Sequence, residues 1–324
     1  MTEIQLVARP NGVPTADLFA FVDTEPPEVQ PGTALVANLY LSVDPYMREC
    51  MDDIWELNSP LEGRALGRVL ESRTPEYKVG DIVFHGNGWR THALVTPGES
   101  RLIKEEAGVP LSAHLGILGG TGLSAYVALG RVSKLQPGET IFISAAAGGV
   151  GTAAGRLAKL FGAGRVIGST GSRGKAEHLV SEVGFDAAFC YRDGPIVDSL
   201  AKAAPDGIDV YLDNVGGEHL AAAIDILKQR GRIAWCGAVS SYNHEAPVAP
   251  RNLFDIVGKE LRLEGFLVRE NLDARPELYD RLIPELQAGR VVSDETIVTG
   301  FDGMVEAFLA MLRGENRGKM IVRL

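Results

Sequence analysis

Glycines 148, 149 and 151 follow a β-branched run, and their spacing points to phosphate chemistry. The surrounding segment, Glu139–Lys175, reads ETIFISAAAGGVGTAAGRLAKLFGAGRVIGSTGSRGK, with no Asp or Glu from Thr140 to Ala176. Thr140–Ala145 suits a strand buried on both faces. The turn after it is Ala146-x-Gly148-x-x-Gly151, one glycine short of the strict fingerprint because alanine holds the first place. Gly148 lets backbone approach a pyrophosphate and Gly151 lets helix and strand pack closely, while the helix, Gly149–Phe161, aims its free N–H groups at the phosphates. A dinucleotide-binding turn of this kind meets the adenosine ribose about 20 residues further on, where an acid selects the free hydroxyl of NAD. Here that place reads Ser169-Thr170-Gly171-Ser172-Arg173-Gly174-Lys175. Hydroxyls and two cations there favour a 2′-phosphate through charge-assisted hydrogen bonds, so the expected cofactor is NADPH.

The elements that must position this turn alternate from Glu139 onward. Strands are expected at Thr140–Ala145, Arg165–Ser169, Ala187–Tyr191, Ile208–Asp213, Arg232–Cys236 and Leu261–Phe266. Helices are expected at Lys175–Val183, Val197–Ala203, Glu218–Gln229, Arg275–Ala288 and Gly303–Arg313, before a last strand, Lys319–Leu324. That rhythm makes a doubly wound parallel sheet, whose ligands lie beyond the carboxyl ends of its strands. The rule nominates Tyr191, Asp213-Asn214-Val215-Gly216, Cys236-Gly237-Ala238 and Phe266-Leu267-Val268. Residues up to about Leu118 read instead as short β runs such as Thr33–Val43, Ala65–Ser72 and Asp81–His85, punctuated by Pro and Gly turns.

At 324 residues the chain exceeds one comfortable core. A net charge of −10 argues against nucleic acid or an anionic membrane as the main partner. Three scattered cysteines and an N-terminus without a signal-like apolar core fit a reducing, cytoplasmic setting. Ala107–Gly130 lacks charge but is broken by Pro110 and six glycines, so it reads as buried and turn-rich rather than spanning.

The assembled pieces resemble the zinc-independent medium-chain dehydrogenase/reductases, in the branch of prostaglandin reductases (leukotriene hydroxydehydrogenases), curcumin reductases and plant alkenal double-bond reductases. The resemblance runs over nearly the whole chain. It rests on Ser42-Val43-Asp44-Pro45-Tyr46-Met47-Arg48, Ala147-Gly148-Gly149-Val150-Gly151, Gly171-Ser172 with Lys175, Asp213-Asn214-Val215-Gly216-Gly217, Cys236-Gly237-Ala238-Val239-Ser240-Ser241-Tyr242-Asn243, and Gly314-Glu315-Asn316-Arg317-Gly318-Lys319. It implies an α/β protein with a Rossmann NADPH-binding domain, residues 121–291, inserted into a GroES-like β-rich catalytic domain, residues 1–120 plus 292–324. It implies that Lys175 and Tyr191 contact the adenosine phosphate end, that Asn214 and Asn316 hold the pyrophosphate–nicotinamide region, and that Cys236–Tyr242 and Phe266–Val268 line the nicotinamide pocket. A homodimer is implied as well.

The activity implied is NADPH-dependent reduction of the carbon–carbon double bond of an α,β-unsaturated ketone or aldehyde. Such a reaction gathers charge on the carbonyl oxygen, and preorganised hydroxyl donors can stabilise it. Tyr46 and Tyr242, phenols with an ordinary pKa of about 10, are the candidate donors. Their plainer alternatives are a packed turn for Tyr46 and a shaped loop for Tyr242. Gly258 occupies a place where some relatives carry a further tyrosine. Zinc dehydrogenases carry Gly-His-Glu where this chain has Gly63-Arg64-Ala65, and His85, His92, His114, His178, His219 and His244 show no ligand spacing, so no metal is expected. Met51 and Trp55, in a variable substrate loop, are suited either to an apolar pocket or to a partly buried surface loop. A quinone reductase and a catalytically silent NADPH-binding protein are the competing readings.

Overall fold

The computed structural model describes residues 1–242 and 249–324. Asn243 and His244 lie outside the described residues. The chain divides into two compact units, Met1–Leu115 with Glu295–Leu324, and Gly116–Asp294.

The second unit carries six strands in one parallel sheet. Across the sheet they run Ala187–Cys190, Arg165–Thr170, Thr140–Ile143, Ile208–Asp213, Leu227–Trp235 and Arg262–Gly265. The order reverses between Thr140–Ile143 and Ile208–Asp213, which puts the topological switch point, and the crevice expected there, at Ser144 and Asn214. Phe142 stacks between Tyr211 at 5.0 Å and Phe189 at 5.9 Å, and is fully buried. Burying a side chain of that size contributes roughly 1.5–3 kcal/mol.

One boundary differs from the sequence expectation. The helix expected to reach Gln229 stops at Ile226, and the strand expected from Arg232 starts at Leu227. Lys228, Gln229 and Arg230 are good helix formers, but Leu227 is 2% exposed and pairs with Ile208 in the sheet. Arg230 adopts φ 64°, and the register shifts between Ile208 and Val210, so tertiary burial and a bulge override local propensity.

The first unit is β-rich. Its larger sheet runs Glu295–Thr299, Lys319–Arg323, Ala34–Ser42, Ala65–Ser72, Ile82–His85 and Arg101–Ile103, with His92–Val95 also paired to Ala34–Ser42. The C-terminal strand therefore enters mid-sheet, with Ile321 opposite Ser42. The core centres on Trp89, stacked on Phe19 at 5.6 Å and meeting Phe308 and Trp55 edge-on. Met51 and Trp55 are both buried in this cluster, at 0% and 3% exposure. Among the described residues no helix is long and apolar enough to cross a membrane.

Candidate active site

In the second unit the glycine turn has the close packing its sequence demands. A Cβ on Gly151 would lie 2.5 Å from the Ala145 carbonyl oxygen and from Ala146 Cα, contacts that no side chain tolerates. Ala145 itself takes φ 46°, a conformation glycine usually supplies. Gly148 ends the turn in extended backbone, and Thr152 N–H makes the first helical bond, to Gly148 O at 2.9 Å. Gly149, Val150 and Gly151 therefore precede the first helical bond, no side chain caps the helix Gly149–Leu160, and its first turn holds no acid. These features fit a pyrophosphate.

The neighbouring loop is built around Asp213. Its Oδ1 accepts from Tyr211 Oη at 2.7 Å, Val215 N at 2.9 Å, Gly216 N at 2.8 Å and Ser144 Oγ at 3.3 Å, while Oδ2 is buried without a partner. Burial raises its pKa, and bonds from Gly216, Tyr211, Val215 and Ser144 pull the other way. Asn214 donates from its backbone to Ser144 Oγ and from Nδ2 to Ser144 O, at 2.9 and 2.8 Å, so its side chain is held at the switch point.

The loop 236–242 is laid onto this one. Cys236 N and Gly237 N reach Asp213 O, Val239 N reaches Asn214 O, and Ser240 donates from its backbone and from Oγ to Val215 O. The Tyr242 hydroxyl comes within 3.4 Å of the position a Gly237 Cβ would take. Burial pushes the Cys236 thiol up to about 12, aided by Asp213, so this sulfur is a protonated packing group rather than a nucleophile. Phe266, Leu267 and Val268 follow the last strand at the same carboxyl edge.

At the end of the second strand, Thr170 and Gly171 lead to Ser172, whose hydroxyl accepts from Lys175 N–H at 3.4 Å and caps the helix Arg173–His178. Arg173 is exposed and bonded through Nε to Asp193 Oδ2 at 2.9 Å. The sequence stretch is acid-poor, yet the fold brings this carboxylate to it from 20 residues away. Tyr191 and Arg192 arrive with it. The Tyr191 hydroxyl and Arg192 Nη2 lie 3.3 and 3.7 Å from the position of a Gly171 Cβ. Arg192 escapes the sequence reading, although a cation directly after the nominated Tyr191 is a usable signal.

Tyr46 and Asn316 belong to the first unit. Asn316 is buried and donates from Nδ2 to Gly318 O at 2.7 Å. Tyr46 opens the short helix Met47–Cys50, and burial raises its phenol pKa, with Asp44 adding to the rise and Arg64 opposing it. Below it lies a buried pair, Lys319 Nζ and Asp44 Oδ1 at 3.0 Å, with Ser42 Oγ donating to Asp44 Oδ2 at 2.5 Å. Burial alone would raise the Asp44 carboxyl, but Lys319, Arg64 and Ser42 hold it below its ordinary value.

Comparison with known proteins decides the family. Residues 2–103 match the family described as "N-terminal domain of oxidoreductase", and residues 149–287 the one described as "Zinc-binding dehydrogenase". The chain is 40% identical to the 2-alkenal reductase (NADP(+)-dependent) of Nicotiana tabacum, over 89% of this chain and 86% of that one. It is 38% identical to prostaglandin reductase 1 of Bos taurus, over 96% and 95%. This protein is a medium-chain dehydrogenase/reductase. Among solved structures, CurA of Vibrio vulnificus in complex with NADPH superposes with a TM-score of 0.93 at 31% identity, covering 100% of this chain and 99% of that one. The Rossmann sheet and the β-rich unit are the two parts of this medium-chain fold.

Proposed function

We propose that this protein uses NADPH to reduce the carbon–carbon double bond of small α,β-unsaturated ketones or aldehydes. One observation carries the reading: relatives matching nearly its full length bear the names 2-alkenal reductase and prostaglandin reductase 1. When bound, the reduced nicotinamide supplies a hydride to the β-carbon. Gly148, Gly149, Val150, Gly151 and Asn214 would receive the pyrophosphate. Thr170, Ser172, Lys175, Tyr191 and Arg192 would receive the 2′-phosphate end, with Gly171 giving room. Cys236–Tyr242 and Phe266–Val268 would line the nicotinamide, and Asn316 is proposed for the pyrophosphate–nicotinamide region.

The chain's own task is to bear the negative charge that gathers on the carbonyl oxygen. Tyr46 and Tyr242 are the proposed donors. Burial keeps the Tyr46 phenol protonated through neutral pH, as a donor must be. A Tyr46→Phe, Tyr242→Phe double variant should lose on the order of 100-fold in kcat with alkyl enones while keeping NADPH affinity, read by nicotinamide absorbance and by fluorescence titration. Turnover of simple benzoquinones alone by the wild type would replace this reading with the quinone one.

The reaction is proposed to need no metal. Arg64 stands where zinc dehydrogenases carry a histidine, and among the described residues no group of three His, Cys, Asp or Glu side chains is placed to hold an ion. Dialysis against a chelator should leave kcat unchanged. A cytoplasmic setting suits the three free thiols. A second copy of the chain is the proposed partner. Strand Arg262–Gly265 ends the sheet beside a hollow of about 540 Å³ lined by Trp235, Leu253, Phe254, Ile256, Val257 and Leu263. Antiparallel pairing of this strand with its twin about Leu263 would set each Arg262 opposite a Glu264. Sedimentation at monomer mass would refute the dimer.

A further inference from the structure

The cluster around Asp44 holds two cations, Lys319 and Arg64, with Glu295 also facing Lys319 from the paired strand, and the two cations meet the Asp44 carboxylate differently. Lys319 and Asp44, at 4% and 5% side-chain exposure, neutralise each other at 3.0 Å, and Lys319 also donates to Val43 O. Arg64 shares this carboxylate only at longer range. Its Nη1 stands 3.8 Å from Asp44 Oδ1, too far for a hydrogen bond, and its Cζ lies 5.3 Å from the centre of the Tyr46 ring. Glu62, exposed, reaches Tyr46 only through its field. Among the described residues neither the Arg64 guanidinium nor the Tyr46 hydroxyl makes a hydrogen bond. A guanidinium about two-thirds covered and a mostly buried phenol stand side by side with their donors open to an oxygen acceptor carrying negative charge.

We infer that Arg64 is a further catalytic residue: with Tyr46 it forms a two-donor seat for the substrate's carbonyl oxygen, an inference that rests on the enone reading above. Delivery of hydride forms the β-carbon C–H bond, shifts the C=C π pair to form a new bond between α-carbon and carbonyl carbon, and moves the C=O π pair onto oxygen. One full negative charge results, and it stays until a proton from water completes the α-carbon. A guanidinium edge and a phenol hydroxyl are matched to that oxygen. The substrates favoured are those that concentrate charge on a single oxygen. A nitroalkene, which spreads the charge over its own nitro group, needs the seat less.

The test compares wild type, Arg64→Met and Arg64→Lys on an alkyl enone and on a nitroalkene of equal chain length. Arg64→Met should lower kcat on the enone about 10- to 100-fold, and on the nitroalkene less than about threefold, with Arg64→Lys recovering part of the loss. NADPH affinity should hold within about twofold. An equal loss on both acceptors, no loss on the enone, or a matching loss of NADPH affinity overturns the inference. Binding of p-nitrophenolate, an enolate-like anion, followed by its absorbance, gives a second readout without turnover. The wild type should bind it at least about 10-fold more tightly than Arg64→Met, and equal binding overturns the seat. A wild type that binds it through Arg64 yet reduces neither acceptor keeps the seat and sinks the enone reading.

Discussion

Two regions of this molecule are proposed to receive negative charge, by opposite means. The turn Ser144–Gly151 uses backbone: a Gly151 that admits no Cβ, and N–H groups ahead of the first helical bond. Its parts are contiguous in sequence. The cluster at Tyr46 uses side chains, and its Asp44–Lys319 pair joins residues 275 positions apart across a central sheet. A backbone site works because nothing else fits there. A side-chain site works only while each charge keeps its partner. The two should therefore fail differently.

Acid sharpens the comparison most. His85 and His114 in the first unit are pulled down to about 3 and about 4, each mainly by burial, and His219 in the second to about 4. A histidine held below its ordinary value is neutral in the fold, while the unfolded chain takes up the proton. Its contribution is complete above about pH 6.5 and is lost as pH falls towards the folded value. Each histidine then costs about 1.4 kcal/mol per pH unit, so by pH 5 the first unit loses roughly 4 kcal/mol and the second roughly 2. Asp44, held low, deepens the loss in the first unit at still lower pH, whereas Asp213, held high, has the opposite sign in the second. Trp55 and Trp89 report the first unit and Trp235 the second, so in a Trp235→Phe variant fluorescence should register melting of the first unit ahead of the far-UV signal. Coincident melting at pH 5 contradicts this.

Breaking one partner comes next. Lys319→Met should destabilise the first unit by about 3–5 kcal/mol because it strands the buried Asp44 carboxylate. An Asp44→Asn, Lys319→Met double variant should lose less than the single one in urea unfolding. If the double loses more, the pair is not a compensated unit.

Gly151→Ala attacks the backbone site. The added methyl meets Ala145 O and Ala146 backbone at 2.5 Å, so the helix start must move, at a cost of roughly 1–3 kcal/mol. Because that helix start is the proposed pyrophosphate receiver, NADPH and NADH affinity should fall together. Loss of NADPH affinity alone would place the damage elsewhere.

The same contrast explains what could be read from the chain in advance. The parallel sheet was legible because its strands and turns are local patterns, and Gly151 because its place in the turn encodes a steric need. The Leu227 strand start was hidden by helix-forming neighbours, since only burial against Ile208 decides it. Lys319 reads as one more cation in a C-terminal strand, and no local rule pairs it with Asp44. Arg64 was visible only as a missing zinc ligand, because its packing on Tyr46 is a tertiary contact that no local spacing encodes.

The smallest predicted effect concerns Arg173. By sequence it is a natural partner for the 2′-phosphate, but the structure commits its Nε to Asp193. Its side chain is 79% exposed, so solvent screens its direct contributions, which change NADPH affinity by under about fivefold. Its useful effect is to neutralise a carboxylate that follows Tyr191 and Arg192. Arg173→Ala should therefore weaken NADPH slightly and NADH hardly at all, and adding Asp193→Asn should restore the preference. If the double variant is weaker than Arg173→Ala, Arg173 contacts the phosphate itself. Lys175→Ala, by contrast, should shift the NADPH-to-NADH ratio without rescue by Asp193→Asn.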